Sequence, residues 1–320
     1  MIDVLICTVG TSLKQNIDNL RSNNTEDNPL NTRFIEAYDE AQWQSIGNTL
    51  RGLDPQNRLC GAEINSIDSI SRHRNLIGEN TQIFFLHSDT DDGENISRIL
   101  CAYYAGRSEA IRVEELQDAD PKAFRTKGLR NLAKQMCKII HENQVLRSRN
   151  CAINATGGYK AQIAIAVLIG QALRVPVYYK HERFDEVIEF PPMPVSLDFQ
   201  LWMRVSGLLY ALDGTSEPLK RSEYSEIIDN ENSVESLINT EQIDGVDYIE
   251  LSPVGQIFHE AYREQFSSSR DRILPPPVPP YEKRDPRWES SGHIRQNEEV
   301  FDFMRMLTNE VPFVKGCSTI

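Results

Sequence analysis

Two short turns carry the residue types that could do chemistry. Thr8-Val9-Gly10-Thr11-Ser12-Leu13 follows a short apolar run, Asp3 to Thr8, with Lys14 and Asn16 just beyond. A glycine after a buried strand lets the backbone turn sharply or approach a ligand closely. The hydroxyls and free amides that follow can hold phosphate oxygens. The second turn is Asn154-Ala155-Thr156-Gly157-Gly158-Tyr159-Lys160, between an apolar run and a helical pattern. A cation at a helix N-terminus opposes the macrodipole, so Lys160 is better placed meeting an anion than facing water. Neither turn is a Walker loop or Gly-x-Gly-x-x-Gly, and each alone also fits an ordinary βα turn.

The surrounding pattern must position those turns. Strands are predicted over residues 3–8, 81–87, 110–113, 151–155, 175–179 and 187–190, the last two forming a hairpin around Asp185. Helices are predicted over 34–50, 57–70, 94–104, 124–145 and 159–173. The polar, Asn-rich stretch from Lys14 to Asn31 reads as a long loop or lid. Strands alternating with helices predict an α/β fold with a parallel sheet covered on both faces. Ligands in such sheets bind at the carboxyl ends of the strands. Both turns lie at such ends.

Composition shifts after Pro191-Pro192-Met193-Pro194. Helical patterns over 199–212, 221–228 and 256–265, with Tyr248 to Gly255 between the last two, suggest a small winged-helix-like module. Ser267 to Arg287 holds six of the 16 prolines and reads as an extended linker. Beyond it, Asn297 to Leu307 is amphipathic, with Val300, Phe301, Met304 and Leu307 on one face, and Phe313 to Ile320 is strand-like. The expected organisation is residues 1–195 as a ligand-binding domain, 196–268 as a connector, and 269–320 as a Pro-rich linker with a short tail or partial effector.

The 320 residues carry 47 acidic and 34 basic side chains, a net charge of -13, which argues against coating long DNA or RNA by bulk charge. No apolar stretch approaches the roughly 20 residues of a membrane span, and no basic region precedes the first apolar run. Cysteines 7, 60, 101, 137, 151 and 317 show no Cys-x-x-Cys pairing and read as reduced thiols of a cytoplasmic protein. The histidines lack metal-ligand spacing, so neither metal nor cofactor is expected.

Taken together, four segments resemble the CARF-domain proteins of type III CRISPR defence: Thr8 to Leu13 with Asn16, Gly61-Ala62-Glu63-Ile64-Asn65-Ser66, Leu86-His87-Ser88-Asp89-Thr90, and Asn154 to Lys160. They span roughly the first 195 residues in the family's order. The second turn looks most like that of the sensors and ring nucleases with Thr-Gly-Gly-aromatic-Lys. The resemblance implies a Rossmann-like domain that forms a homodimer and binds cyclic oligoadenylate, usually cyclic tetra-adenylate, as activator or substrate across the dimer axis. A two-fold ring suits an isologous dimer presenting the same turns twice. The ligand-binding positions it implies are Gly10, Thr11, Ser12, Leu13, Asn16, Thr90, Asn154, Thr156, Gly157, Gly158, Tyr159 and Lys160. Some relatives also cut the ring without metal, the 2′-hydroxyl attacking the neighbouring phosphate in line. Lys160 would then stabilise developing charge while Ser12 or Thr11 orients the phosphate.

The resemblance also bears on the C-terminal part. Winged-helix modules often follow CARF domains, and a ribonuclease often ends the chain. Arg287 and His293 have the spacing of a HEPN ribonuclease, but Gly292 and the loop-like residues between them disfavour the helix that motif needs. The tail fits better the start of a RelE-like mRNA interferase, which cuts mRNA on the ribosome. The leading expectation is therefore a cyclic-oligoadenylate sensor that regulates an RNA-cutting effector and can limit itself by cutting the ring. The alternatives are a stand-alone ring nuclease and a ligand-responsive winged-helix DNA-binding regulator, the latter disfavoured by few Lys or Arg between 201 and 265. A nicotinamide enzyme lacks the glycine fingerprint.

Overall fold

The computed structural model describes all residues except 23–28, 146, 216, 274–277, 289–297, 312 and 320. The chain forms two compact units, Met1–Glu264 and Gln265–Ile320.

The first unit is built on a six-stranded sheet: β1 (Ile2–Thr8), β2 (Ile77–His87), β3 (Ser108–Arg112), β4 (Cys151–Asn154), β5 (Val177–Tyr179) and β6 (Ile188–Phe190). Its order is β3-β2-β1-β4-β5-β6. All neighbours run parallel except β5 and β6, which form the expected hairpin. This is the doubly wound Rossmann order, and its topological switch point lies between β1 and β4. Alternate side chains of each strand enter opposite cores, as the two-residue period of a strand requires. Leu5, Cys7, Ile83, Phe85, Ala152 and Tyr178 pack on one face. Val4, Ile6, Phe84, Leu86, Ile153 and Val177 pack on the other.

The first core is completed by α1 (Ser12–Ser22), α2 (Pro29–Asp39), α3 (Trp43–Arg51), α4 (Gly61–Arg74) and α5 (Asp91–Tyr103). The predicted loop from Lys14 to Asn31 is therefore largely helical, with 23–28 outside the described residues. Leu13 and Ile17, four apart and buried, give α1 its core-facing stripe, and the asparagines occupy the outward side. The single helix predicted over 34–50 divides into α2 and α3 at Ala41, whose φ is +54°.

A turn of helix, α6 (Pro121–Ala123), leads through a wide turn at Phe124–Gly128 into α7 (Leu129–Ile140). With α8 (Lys160–Ala172) it covers the second face, through Leu132, Met136, Ile140, Ile165 and Ile169. Wide π-type turns flank α7 on both sides, the second at His141–Val145, so the long predicted helix is regular only in its middle.

The same unit continues with α9 (Phe199–Asp213), α10 (Ser225–Asn230), and a three-stranded antiparallel sheet of β7 (Leu219–Lys220), β8 (Ile238–Ile243) and β9 (Val246–Leu251), ordered β7-β9-β8. α11 (Pro253–Ile273) follows. Buried Trp202, Val205, Leu209, Ile249, Leu251 and Phe258 make its apolar interior. The linker predicted from Ser267 is helical as far as Ile273, the last residue of α11. Pro275, Pro276 and Pro277 lie outside the described residues.

In the second unit, β10 (Arg287–Trp288) pairs in parallel with β11 (Ser318–Thr319), and α12 (Glu298–Glu310) lies between them in sequence. Lys283 donates from Nζ to the carbonyls of Asn309 (3.0 Å) and Val311 (3.1 Å), a cation where the helix C-terminus is electronegative. Met304 is buried, whereas Val300 is exposed. Asn297, His293 and Ile320 lie outside the described residues.

Candidate functional site

The floor of the switch point is backbone packed on backbone. Thr8 Oγ1 donates to the Gly157 carbonyl at 2.5 Å, tying the end of β1 to the turn after β4. A Cβ on Gly10 would stand 2.5 Å from the Gly158 nitrogen, so no other residue fits there unmoved. Gly158 has a φ of +93°, and a Cβ on it would meet the Gln162 side chain at 1.8 Å. The Gly10 amide, which the sequence offered to a phosphate, donates to Glu63 Oε1 at 2.7 Å. These glycines therefore bring two strand ends together.

Glu63, in the first turn of α4, is wholly buried. Burial pushes its carboxyl above the usual range, while the Gly10 N–H, its own amide and the Ser12 hydroxyl pull the other way. Oε2 has no hydrogen-bond partner among the described residues. Ser12 Oγ accepts the Ala62 N–H at 2.9 Å, joining the starts of α1 and α4.

Above this floor opens a cleft of about 820 Å³, walled by α1, the start of α4, the start of α8 and the turn after β5. Ser12, Asn16, Thr156 and Lys160 line it, four of the positions named from sequence. Asn16 Nδ2 donates to the Arg58 carbonyl at 2.6 Å. Thr156 Oγ1 donates to Asn154 Oδ1 (2.6 Å) and accepts the Lys180 N–H (3.0 Å). Asn154 itself is buried and donates to Ser66 Oγ at 2.8 Å, so it braces the turn from below.

The remaining named positions fall elsewhere. Leu13 is wholly buried in the first core. Thr11 is exposed and accepts from Gln15 Nε2 at 3.2 Å. Thr90 is the N-cap of α5, accepting the Gly93 N–H at 3.1 Å, the ordinary task of a threonine before a helix. Tyr159 sets its ring edge-on to Phe124 with centroids 5.2 Å apart.

Sequence reasoning missed Arg58, Lys180, His181 and Arg183, which also line the wall. Lys180 spends its three protons inside the protein, on Gln56 Oε1 (2.7 Å), Ser69 Oγ (2.6 Å) and the Asp185 carbonyl (3.2 Å). Burial lowers its pKa, against the pull of Asp185 and Asp68. It fastens the β5–β6 turn to α4. Arg58, Lys160 and Arg183 are exposed, and their side chains form no ion pair among the described residues. The cleft thus presents four cationic side chains and one carboxylate, Glu182, in a protein of net charge -13.

Fold and cleft define a doubly wound α/β protein with a cleft rich in cationic side chains at its switch point. Residues 58–193 match the model of a family described as CRISPR-associated protein (Cas_APE2256). The match includes Arg58, Thr156, Lys160 and Arg183 of the cleft and supports a CRISPR-associated protein. No curated protein matches the chain. Among the described residues, no helix is long and apolar enough to cross a membrane.

Proposed function

We propose that the protein binds cyclic oligoadenylate, with cyclic tetra-adenylate as the first ring to test, in the service of CRISPR defence, and that the Ser12–Lys160 cleft cuts the ring. The observation that carries this reading is the concentration of Arg58, Lys160, Lys180 and Arg183 at the switch point of an otherwise acidic chain. Such a cleft suits a compact polyanion better than a long nucleic acid, because attraction is confined to one place. The match over residues 58–193 supports the CRISPR setting. A homodimer would present the cleft twice to a two-fold ring.

The helices α9, α10 and α11 with their three-stranded sheet support a winged-helix-like connector between the ligand domain and a C-terminal effector. Its arginines do not favour DNA binding. Arg221 pairs with Glu235 at 2.6 Å, Arg263 with Asp213 at 3.2 Å, and Arg204 with Glu231.

Labelled cyclic tetra-adenylate, incubated with the protein in a chelator, tests the reading. Saturable binding with linear products that vanish in Lys160→Ala is the expected result. No binding of this ring or its three- and six-membered analogues would overturn it.

A further inference from the structure

We infer that Asn16 and Asn65 are the base filter of the cleft: their side-chain oxygens accept the exocyclic amino group of adenine and turn away bases that carry a keto oxygen in its place. The inference rests on the ring-binding reading above and names the residues that would tell an adenylate ring from other cyclic oligonucleotides.

The cleft holds two kinds of polar side chain that matter here. Arg58, Lys160 and Arg183 are exposed cations, which can only donate. They suit phosphate but carry no information about the base, because every cyclic oligonucleotide has the same phosphates. Asn16 on α1 and Asn65 on α4 are neutral and half-buried, and line the same cleft.

What the two amides present is fixed by what holds their nitrogen ends. Asn65 Nδ2 donates to the carbonyls of Pro55 and Asn57, the latter at 3.2 Å. Asn16 Nδ2 donates to the carbonyl of Arg58, the next residue of the same loop, at 2.6 Å. A backbone carbonyl can only accept, so the nitrogen of each amide must face it and the oxygen must point the other way. Both amide protons of Asn65 are thereby used, and its side chain has only an acceptor left to offer. Neither Oδ1 takes a hydrogen bond among the described residues. Gln56, also on the wall, is not equivalent. Its Oε1 accepts from Lys180 at 2.7 Å, and its Nε2 donates to the Asn65 carbonyl at 3.0 Å and to Asp68 Oδ2 at 2.6 Å.

Bare acceptors beside cations select a ligand that is anionic yet brings a donor. An adenylate ring has two such donors, the ribose 2′-hydroxyl and the adenine N6 amino group. The hydroxyl both donates and accepts, whereas the amino group only donates, as Asn65 only accepts. Guanine, hypoxanthine and uracil set a carbonyl oxygen where adenine or cytosine has the amino group. Oxygen would then face oxygen, and two half-buried acceptors would lose water with no donor in return. A site built to bond an N–H rejects an analogue lacking it more steeply than a site that measures size alone. The filter therefore separates amino bases from keto bases.

The test compares three rings on the full chain by rapid filter binding: cyclic tetra-adenylate, cyclic tetra-inosinate, and the 2′-deoxy form of the adenylate ring. Inosinate keeps the phosphates, the sugars and the purine shape and replaces only the amino group by a keto oxygen. The wild type should bind it about a hundredfold more weakly than the adenylate ring. Asn16→Ala and Asn65→Ala should each shrink that ratio about tenfold, by weakening the adenylate ring and sparing the inosinate ring. A merely structural role would weaken both rings alike and leave the ratio as it was. A wild type that binds both rings within about twofold of each other overturns the filter and leaves the ring-binding reading standing. An unaltered ratio in both variants overturns it too, and if Asn65→Ala does not fold, an unaltered ratio in Asn16→Ala does so alone. A variant that erases the preference for ribose over deoxyribose and keeps the base preference also overturns it, since the amides would then read the sugar. Failure of every ring to bind overturns the filter together with the reading on which it rests.

Discussion

Thr8 and Gly157 stand 149 residues apart in the chain and share a 2.5 Å hydrogen bond, hydroxyl to carbonyl. That bond fastens the two strand ends on either side of the switch point. Around it the backbone is too tight for side chains. Gly10→Ala would drive a methyl group to 2.5 Å from the Gly158 nitrogen. The expected cost is about 1–3 kcal/mol of stability, as for overpacking in a core. Chemical denaturation should show it as a lowered midpoint, and cyclic tetra-adenylate binding should weaken as the floor distorts. An unchanged midpoint would contradict the close approach.

Arg58, just before α4, and Arg183, after β5, both line the cleft and form no ion pair among the described residues. Replacing either with alanine should leave the melting temperature unchanged, since exposed charges without partners contribute little to folding. Each replacement should weaken cyclic tetra-adenylate binding about tenfold through loss of a charge-assisted contact. Isothermal titration would measure this. Affinity of the wild type should also fall as salt rises, with a smaller slope in the double variant.

Lys160 opens α8 at the mouth of the cleft and is exposed. Lys160→Ala should reduce ring cutting by about 10²–10³-fold if the ammonium stabilises charge developing in the transition state. Binding should weaken far less. Rapid-quench cleavage beside equilibrium binding separates the two effects, and parallel losses in both would make Lys160 a binding residue only.

His259, on α11, predicts a pH dependence of stability. The ring is wholly buried, edge-on to Tyr210 at 4.5 Å, and neither nitrogen has a partner among the described residues. Burial pulls its pKa from 6.5 down to about 4. The folded protein therefore keeps it neutral where the unfolded chain would protonate it. Stability from this group is complete above about pH 6.5 and is lost as pH falls toward 4. The gap is worth about 3 kcal/mol. His259→Phe removes the effect. Denaturation at pH 7 and pH 4.5 should show the wild type losing more stability than the variant, and equal losses would refute the assignment.

The sheet and both glycine turns were legible because buried strands leave short apolar runs and their ends leave small polar residues. The run from Lys14 to Asn31 misled because its asparagines dominate the composition while Ile17 and Leu20, with Leu13 before them, carry the helical stripe. Arg58, Lys180 and Arg183 carry no local signal of a site. They converge because β5 lies beside β4 in parallel, with Asn154 opposite Tyr178. One clue was available: Lys180 directly follows a strand on the same sheet edge as Thr156. Glu63 lay within a recognised segment, but its role depends on Gly10, 53 residues away, which only the fold brings near.

The glycine floor has a consequence for how such a site can diversify. Where Gly10 packs on Gly157 and Gly158, the floor is backbone and has no side chain to exchange. It can be kept or broken, but it cannot be retuned. On the proposed reading, variation in which anion the cleft accepts would be written in the wall, above all in the turn His181-Glu182-Arg183 beside Lys180, which bonds the Asp185 carbonyl. An engineer seeking a different ring size would randomise that turn and leave the floor untouched.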